Sequence, residues 1–344
     1  MKKKLIIFCL SGFVFAATLL MDGCKKLAYP NATHINFTIP PGFPPTVYNF
    51  QNNPLTEEGF LLGRKLFYDG RLSKDGIFSC ASCHQQLAAF TTFEHDRSHG
   101  YNNSHTLRNA PGLFNLAWVP AFRQDGSATT IEQVALAHIT SQVEMAETIP
   151  SIITKIKDDA AYTTMFGAAY GNEIITQEKI LNAITQFVVS LVSANSKFDK
   201  VQRGETSFTP QEQNGYSIFQ SKCATCHAGN LFTDYSYRNT GIEIDPSLND
   251  FGRLSVTGNK NDSLKFRVPS LRNLEATSYY AHDGRLSVFR MMIQHYRNGV
   301  NPGATVDPLV ANGISITNAE ENDLVAFLRT LTDTAFINSP RFKE

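Results

Sequence analysis

The chain has 344 residues, enough for about two ordinary domains. Hydrophobic residues make up 42% and charged residues 18%, a globular balance that argues against a disordered chain. Basic and acidic residues cancel to a net charge of zero, so the basic surface of a nucleic-acid-binding protein is not expected.

The chain opens "MKKKLIIFCLSGFVFAATLLMDGC": three lysines, then an apolar run from Leu5 to Met21. That is the pattern of an export signal. The small residue Gly23 followed by Cys24 resembles the lipobox of bacterial lipoproteins, although Asp22 is unusual there. The expectation is cleavage before Cys24 and lipid on its sulfur, giving a body tethered in the periplasm. An ordinary signal peptide with an incidental cysteine, or an uncleaved anchor, are the alternatives. Residues 25–54, rich in Pro, Asn and Thr, read as an extended linker. A helix is expected from Thr56 through "GFLLGRKLF". Others begin at the capping-box pattern Thr130–Gln133, at Thr176, at Thr209-Pro-Gln-Glu212 and at Thr317–Glu320. A further helix is expected from Ser287. Strand patterns are scarce. The fold class is therefore mainly α, with long loops, in two halves: residues 55–203 and 204–344.

Each half carries one copy of Cys-x-x-Cys-His: Cys80, Cys83, His84 and Cys223, Cys226, His227. This is the attachment signature of c-type haem. Two cysteines three apart on a helical turn reach the two vinyl groups of one porphyrin, and the next histidine lies under the iron. A redox disulfide or half a zinc site could use a lone Cys-x-x-Cys, but two full copies in one chain point to two covalent haems. Outside the motifs only Cys9 and Cys24 remain, so no structural disulfide is expected.

The stretches "LGRKLFYDGRLSKDGIFSCASCH", "RNAPGLFNLAWVPAFRQDG", "QVEMAE" and "FRVPSLRNLEATSYYAHDGRLS" resemble the bacterial dihaem cytochrome c peroxidase family, which includes MauG-like enzymes. The resemblance spans about residues 55–335 and implies two cytochrome c-like haem domains. It implies reduction of hydrogen peroxide at haem 1, with electrons entering at haem 2 from a small cytochrome c or cupredoxin. Glu144 matches the family's catalytic glutamate, which moves a proton between the peroxide oxygens, and Gln133 matches a glutamine on the same side. His99 is the candidate displaceable ligand of the haem 1 iron, with His95 and His105 as competitors. For haem 2, Tyr296 falls where peroxidases carry methionine and MauG-like members carry tyrosine; Met292 and His295 are alternatives, while Met291 reads as packing. Asn109, Thr277 and Tyr279 match ligands of a calcium ion between the domains. Relatives form dimers, so a homodimer is possible.

One departure stands out. Where the family has tryptophan in "FFWDG", this chain has Gln124, and its single tryptophan, Trp118, reads as a packing residue. Glutamine cannot hold a radical as an indole can. The leading expectation is a peroxidase. The rivals are a MauG-like oxidase acting on a protein or small molecule, and a non-enzymatic dihaem electron carrier.

Overall fold

A computed structural model describes residues 32–344; the export-like segment, Cys24 and the first residues of the linker lie outside the described residues. Twelve α-helices are described. In chain order they are α1 Glu57–Tyr68, α2 Cys80–Cys83, α3 Ile131–Thr140, α4 Ile149–Ile156, α5 Ala160–Tyr170, α6 Gln177–Val189 and α7 Lys197–Gln202, then α8 Pro210–Lys222, α9 Leu254–Thr257, α10 Phe289–Gln294, α11 Asn318–Arg329 and α12 Thr334–Ile337. The strands are two-residue fragments. β1 (His99–Gly100) pairs antiparallel with β2 (Ser104–His105), and β3 (Tyr237–Arg238) with β4 (Phe266–Arg267).

Helix starts follow their caps. Thr56, Thr130, Thr176, Thr209 and Thr317 each accept a backbone N–H of the first turn, and Thr209 and Thr317 complete reciprocal boxes with Glu212 and Glu320.

Both halves repeat one packing device. In the first, α1 lies against α6, and Gly63 comes so close that a Cβ there would sit 1.8 Å from the Ala183 carbonyl and 3.0 Å from the Phe187 Cβ. In the second, α8 lies against α11, and a Cβ on Gly215 would sit 1.9 Å from the Asp323 carbonyl and 2.8 Å from the Phe327 Cβ. Glycine permits the close helix crossing, and a phenylalanine four residues beyond the contacted carbonyl fills the core beneath it. Phe187 anchors the first core with Phe60, Phe67 and Phe90; Phe327 anchors the second with Phe198, Phe219 and Phe232.

The first and last stretches of the described residues bind the first core. Residues 32–54 are extended but not detached: Phe43 is buried, Val47 and Tyr48 donate to the Ala117 carbonyl, and Phe37 stacks near Phe50 and Trp118. Aromatic side chains spaced among the prolines give this stretch apolar area to bury. Phe336 of α12 and Phe342 return to pack on Phe90. Among the described residues, no helix is long and apolar enough to cross a membrane.

Candidate haem centres

The two Cys-x-x-Cys-His segments adopt matching conformations. His84 N–H donates to the Cys80 carbonyl at 2.9 Å, and His227 N–H to that of Cys223 at 3.0 Å, so each histidine closes a helical turn over its first cysteine. The Nδ1 of His84 lies 2.9 Å from the Phe90 carbonyl; that of His227 lies 3.1 Å from the Phe232 carbonyl and 3.2 Å from that of Pro269. A carbonyl only accepts, so Nδ1 carries the hydrogen and Nε2 is left bare for an iron. Phe90 and Phe232 both hold left-handed backbone, φ 59° and 54°, which bulky residues adopt only under constraint. Here the turn points each carbonyl at a histidine.

The electrostatics fit haem attachment. Burial pushes His84 down to about 4 and His227 down as well, keeping both imidazoles neutral, as ligands must be. Burial pushes the Cys80 and Cys223 thiols up to about 12. No disulfide joins Cys80, Cys83, Cys223 or Cys226. A redox pair needs a lowered thiol, and these are the reverse.

Around the first motif, His84 is influenced besides its burial and the Phe90 carbonyl by the Pro111 backbone and by two side chains: the His138 ring and, in the opposite sense, the Glu144 carboxylate. They are joined to each other, with His138 Nδ1 2.6 Å from Glu144 Oε2. The Glu144 backbone is clamped: its N–H donates to Ser141 and its carbonyl accepts from Tyr101 N–H at 2.7 Å. Gly100 packs so tightly there that a Cβ would lie 2.2 Å from the Val143 carbonyl. The β1–β2 hairpin thus props the turn that carries Glu144.

Gln133 is placed elsewhere. Its Oε1 accepts from the Thr129 N–H at 2.9 Å and the Thr129 hydroxyl at 3.1 Å, and the residue is exposed. The side chain finishes the helix start instead of facing His84. Val134 and His138, one turn apart on α3, occupy the half-buried face. His138 was missed in the sequence, although its spacing of four from Val134, a core-packing position, could have shown it.

His99 stacks between His95 and His105, ring centroids 4.3 and 4.2 Å apart, and lines an open cleft with Asp75, Phe78 and Glu94. Partial burial and the two neighbouring imidazoles hold it below the ordinary histidine value. Its carbonyl lies 3.9 Å from the Cys83 sulfur, so the loop borders the first motif, but its ring is not among the groups acting on His84.

At the second motif, Tyr296 lies where the Cys223 and Cys226 sulfurs act on its phenol, and burial drives its ionisation far upward. His295 turns away, with Nε2 2.8 Å from the Thr240 carbonyl. Met291 is exposed and its sulfur accepts from Ser287 Oγ at 3.6 Å; Met292 is half-buried. A π-helical turn over His295–Gly299 continues α10 and rotates these side chains away from α-helical register.

Between the halves, Gln124 accepts from the Arg267 N–H at 2.7 Å and donates from Nε2 to the Asn109 carbonyl at 3.1 Å, while its buried Oε1 has no partner. Arg108 bridges Asp125 and Asp250, and the Phe266 and His282 rings stack at 4.0 Å. Trp118 is buried in the first core, its indole N–H on the Pro44 carbonyl at 2.7 Å. Asn109 is buried, with Nδ2 on the Asp96 carbonyl at 2.8 Å; Thr277 bonds Thr91 and Thr92, and Tyr279 N–H donates to Ser287.

Two covalent haem motifs on a mainly helical, two-core chain define a dihaem c-type cytochrome. A family model described as di-haem cytochrome c peroxidase matches residues 57–207, and one described as cytochrome c matches residues 212–332. The chain is 32% identical over 304 residues to the methylamine utilization protein MauG of Methylophilus methylotrophus, covering 85% of this chain and 88% of that one. It is 33% identical over 286 residues to the cytochrome c551 peroxidase of Nitrosomonas europaea, covering 82% and 81%. A crystal structure of a MauG-like protein associated with microbial copper homeostasis superposes with a TM-score of 0.83 at 31% identity, covering 90% of this chain and 99% of that one. The chain belongs to the di-haem cytochrome c peroxidase family and is an oxidoreductase carrying two haems c.

Proposed function

We propose that this protein reduces hydrogen peroxide to water at the first haem, with electrons entering through the second from a small cytochrome c or cupredoxin. The observation that carries this reading is Glu144, its backbone clamped by Tyr101 N–H, its carboxylate paired with His138, in a turn propped by the hairpin whose His99 carbonyl borders the Cys83 sulfur. Bound haem supplies the iron that takes up peroxide and passes electrons. The protein's own part is to fix His84 through the Phe90 carbonyl and to hold a carboxylate where a proton must move between peroxide oxygens. Glu144→Ala should keep both haems and lower peroxide turnover about 100-fold, in the range of lost acid–base groups. Steady-state turnover with a reduced cytochrome c checks it, and unchanged turnover removes Glu144 from the reaction.

A second reading rests on Tyr296. Its phenol near Cys223 and Cys226 supports a tyrosinate-ligated second haem, which favours high oxidation states over electron entry. In that case the protein oxidises a partner or small molecule, as a MauG-like enzyme would, and Gln124 leaves tunnelling as the route between haems. His99 as a displaceable ligand would require its ring to leave the histidine stack. Calcium at Asn109 is supported by Oδ1, which takes no hydrogen bond among the described residues. The leader pattern ending at Cys24 supports a lipid-anchored protein of the periplasm.

A further inference from the structure

The face of α3 beside Glu144 carries a side chain with no part yet in the reaction. His138 and Glu144 form a pair, Nδ1 to Oε2 at 2.6 Å. The His138 side chain is 37% exposed and Glu144 18%. The Nε2 of His138 has no hydrogen-bond partner among the described residues. The pair sits beside the first motif: Tyr101 N–H holds the Glu144 carbonyl at 2.7 Å, and two residues before Tyr101 the His99 carbonyl lies 3.9 Å from the Cys83 sulfur. The glutamine expected to assist, Gln133, is spent on Thr129. That leaves one imidazole with a bare nitrogen at the first haem centre, oriented by a carboxylate.

We propose that His138 is a catalytic residue of the first haem centre: its Nε2 is the atom that takes and returns the peroxide proton, and Glu144 orients the ring and stabilises its cation. This rests on the peroxidatic reading above and assigns the proton-handling atom within it. Nδ1–H donates to Oε2 throughout. Nε2 accepts the proton of one peroxide oxygen and delivers it to the other, which leaves as water when the O–O bond breaks. The histidine ends as it began. The remaining oxygen takes two electrons, supplied through the haems by the donor, and two solvent protons to become the second water. Carboxylate, imidazole and acceptor in series is the arrangement that activates nucleophiles in hydrolases, applied here to a peroxide.

The test uses holoprotein with both haems, and cyanide as the probe. Hydrogen cyanide must lose its proton to bind ferric haem, so its association rate reads the same base without any bond cleavage in peroxide. His138→Ala and His138→Gln are compared with wild type by stopped-flow absorbance at pH 7. Both should slow association about 100-fold, with two haems per chain and an unchanged resting spectrum. Glutamine can still donate to Glu144, so full rescue in His138→Gln would reduce His138 to a positioning residue and overturn the proposal. Association within twofold of wild type in His138→Ala would also overturn it, as would a resting spectrum showing lost low-spin ligation, which would make Nε2 an iron ligand. If His138→Ala fails to hold two haems, His138→Gln alone decides. Glu144→Ala separates the two levels. If it slows association while the His138 variants do not, only the assignment to His138 fails. If no variant slows it, the peroxidatic reading of this face fails too.

Discussion

Tyr296 is the residue whose chemistry most divides the possible behaviours of the second haem. Burial first, and then the Cys223 and Cys226 sulfurs, push its ionisation upward, so its surroundings resist a free phenolate. Only a strong cation such as ferric iron would ionise it there. Tyr296→Phe should therefore shift the resting spectrum of one haem and leave covalent attachment intact; a spectrum identical to wild type would exclude tyrosine ligation. At this scale the presence of two haems c was legible, because a covalent bond ties residue type to spacing. The distal faces were not. Gln133 shares its place in sequence with a functional glutamine, but a local bond to Thr129 was available and took the side chain. His138 carried no motif and became visible only when α3 turned it toward Glu144. His99 sits in the expected loop, yet its ring joins two others in a stack that no spacing rule contains.

Among the elements, the threonine caps were readable, since a hydroxyl three residues ahead of its N–H is a local signal. The helix α4 was not foreseen: "IPSIITKI" is a run of β-branched residues, overridden by the Thr148 cap and by Pro150 in the first turn. The π-helical turn at Tyr296 is invisible in sequence because it depends on what Ile314 N–H offers the Tyr296 carbonyl, at 2.7 Å. The glycine crossings are the elements' most exacting contacts. Gly215→Ala should destabilise the second half by about 1–3 kcal/mol, the range for overpacking, because its Cβ meets backbone that cannot rotate away. Gly63→Ala should do the same to the first half. Chemical denaturation of each variant checks this, and an unchanged midpoint would show that the helices separate at little cost.

For the whole molecule, the fold class and the two-core plan were legible because each half repeats a haem motif followed by its own hydrophobic helix. The return of Phe336 to the first core and the packing of residues 32–54 were not, since they depend on contacts about seventy or more residues apart in the chain. The same holds for Arg272, fully buried, whose two nitrogens bond the Asp199 carboxylate at 2.9 and 2.7 Å. Burial alone would raise Asp199; Arg272 and Ser196 outweigh it and hold the carboxyl below its ordinary value. Arg272→Ala leaves a buried carboxylate alone and should cost roughly 3–5 kcal/mol, measured by thermal or denaturant unfolding. Because the folded value lies below the unfolded one, the contribution of Asp199 is complete above about pH 4 and fades as pH falls through the folded value. Asp199→Asn should flatten the acid limb of the stability curve, and an unaltered limb would remove this carboxylate from it.

A cyanide titration of the half-reduced holoprotein, followed by electron paramagnetic resonance and the Soret band, asks whether two haems are fixed covalently with a single accessible iron face, beside the Glu144 pair. One ligand-responsive haem of the two in each chain is expected. Two sealed haems, with no response to cyanide, would contradict it.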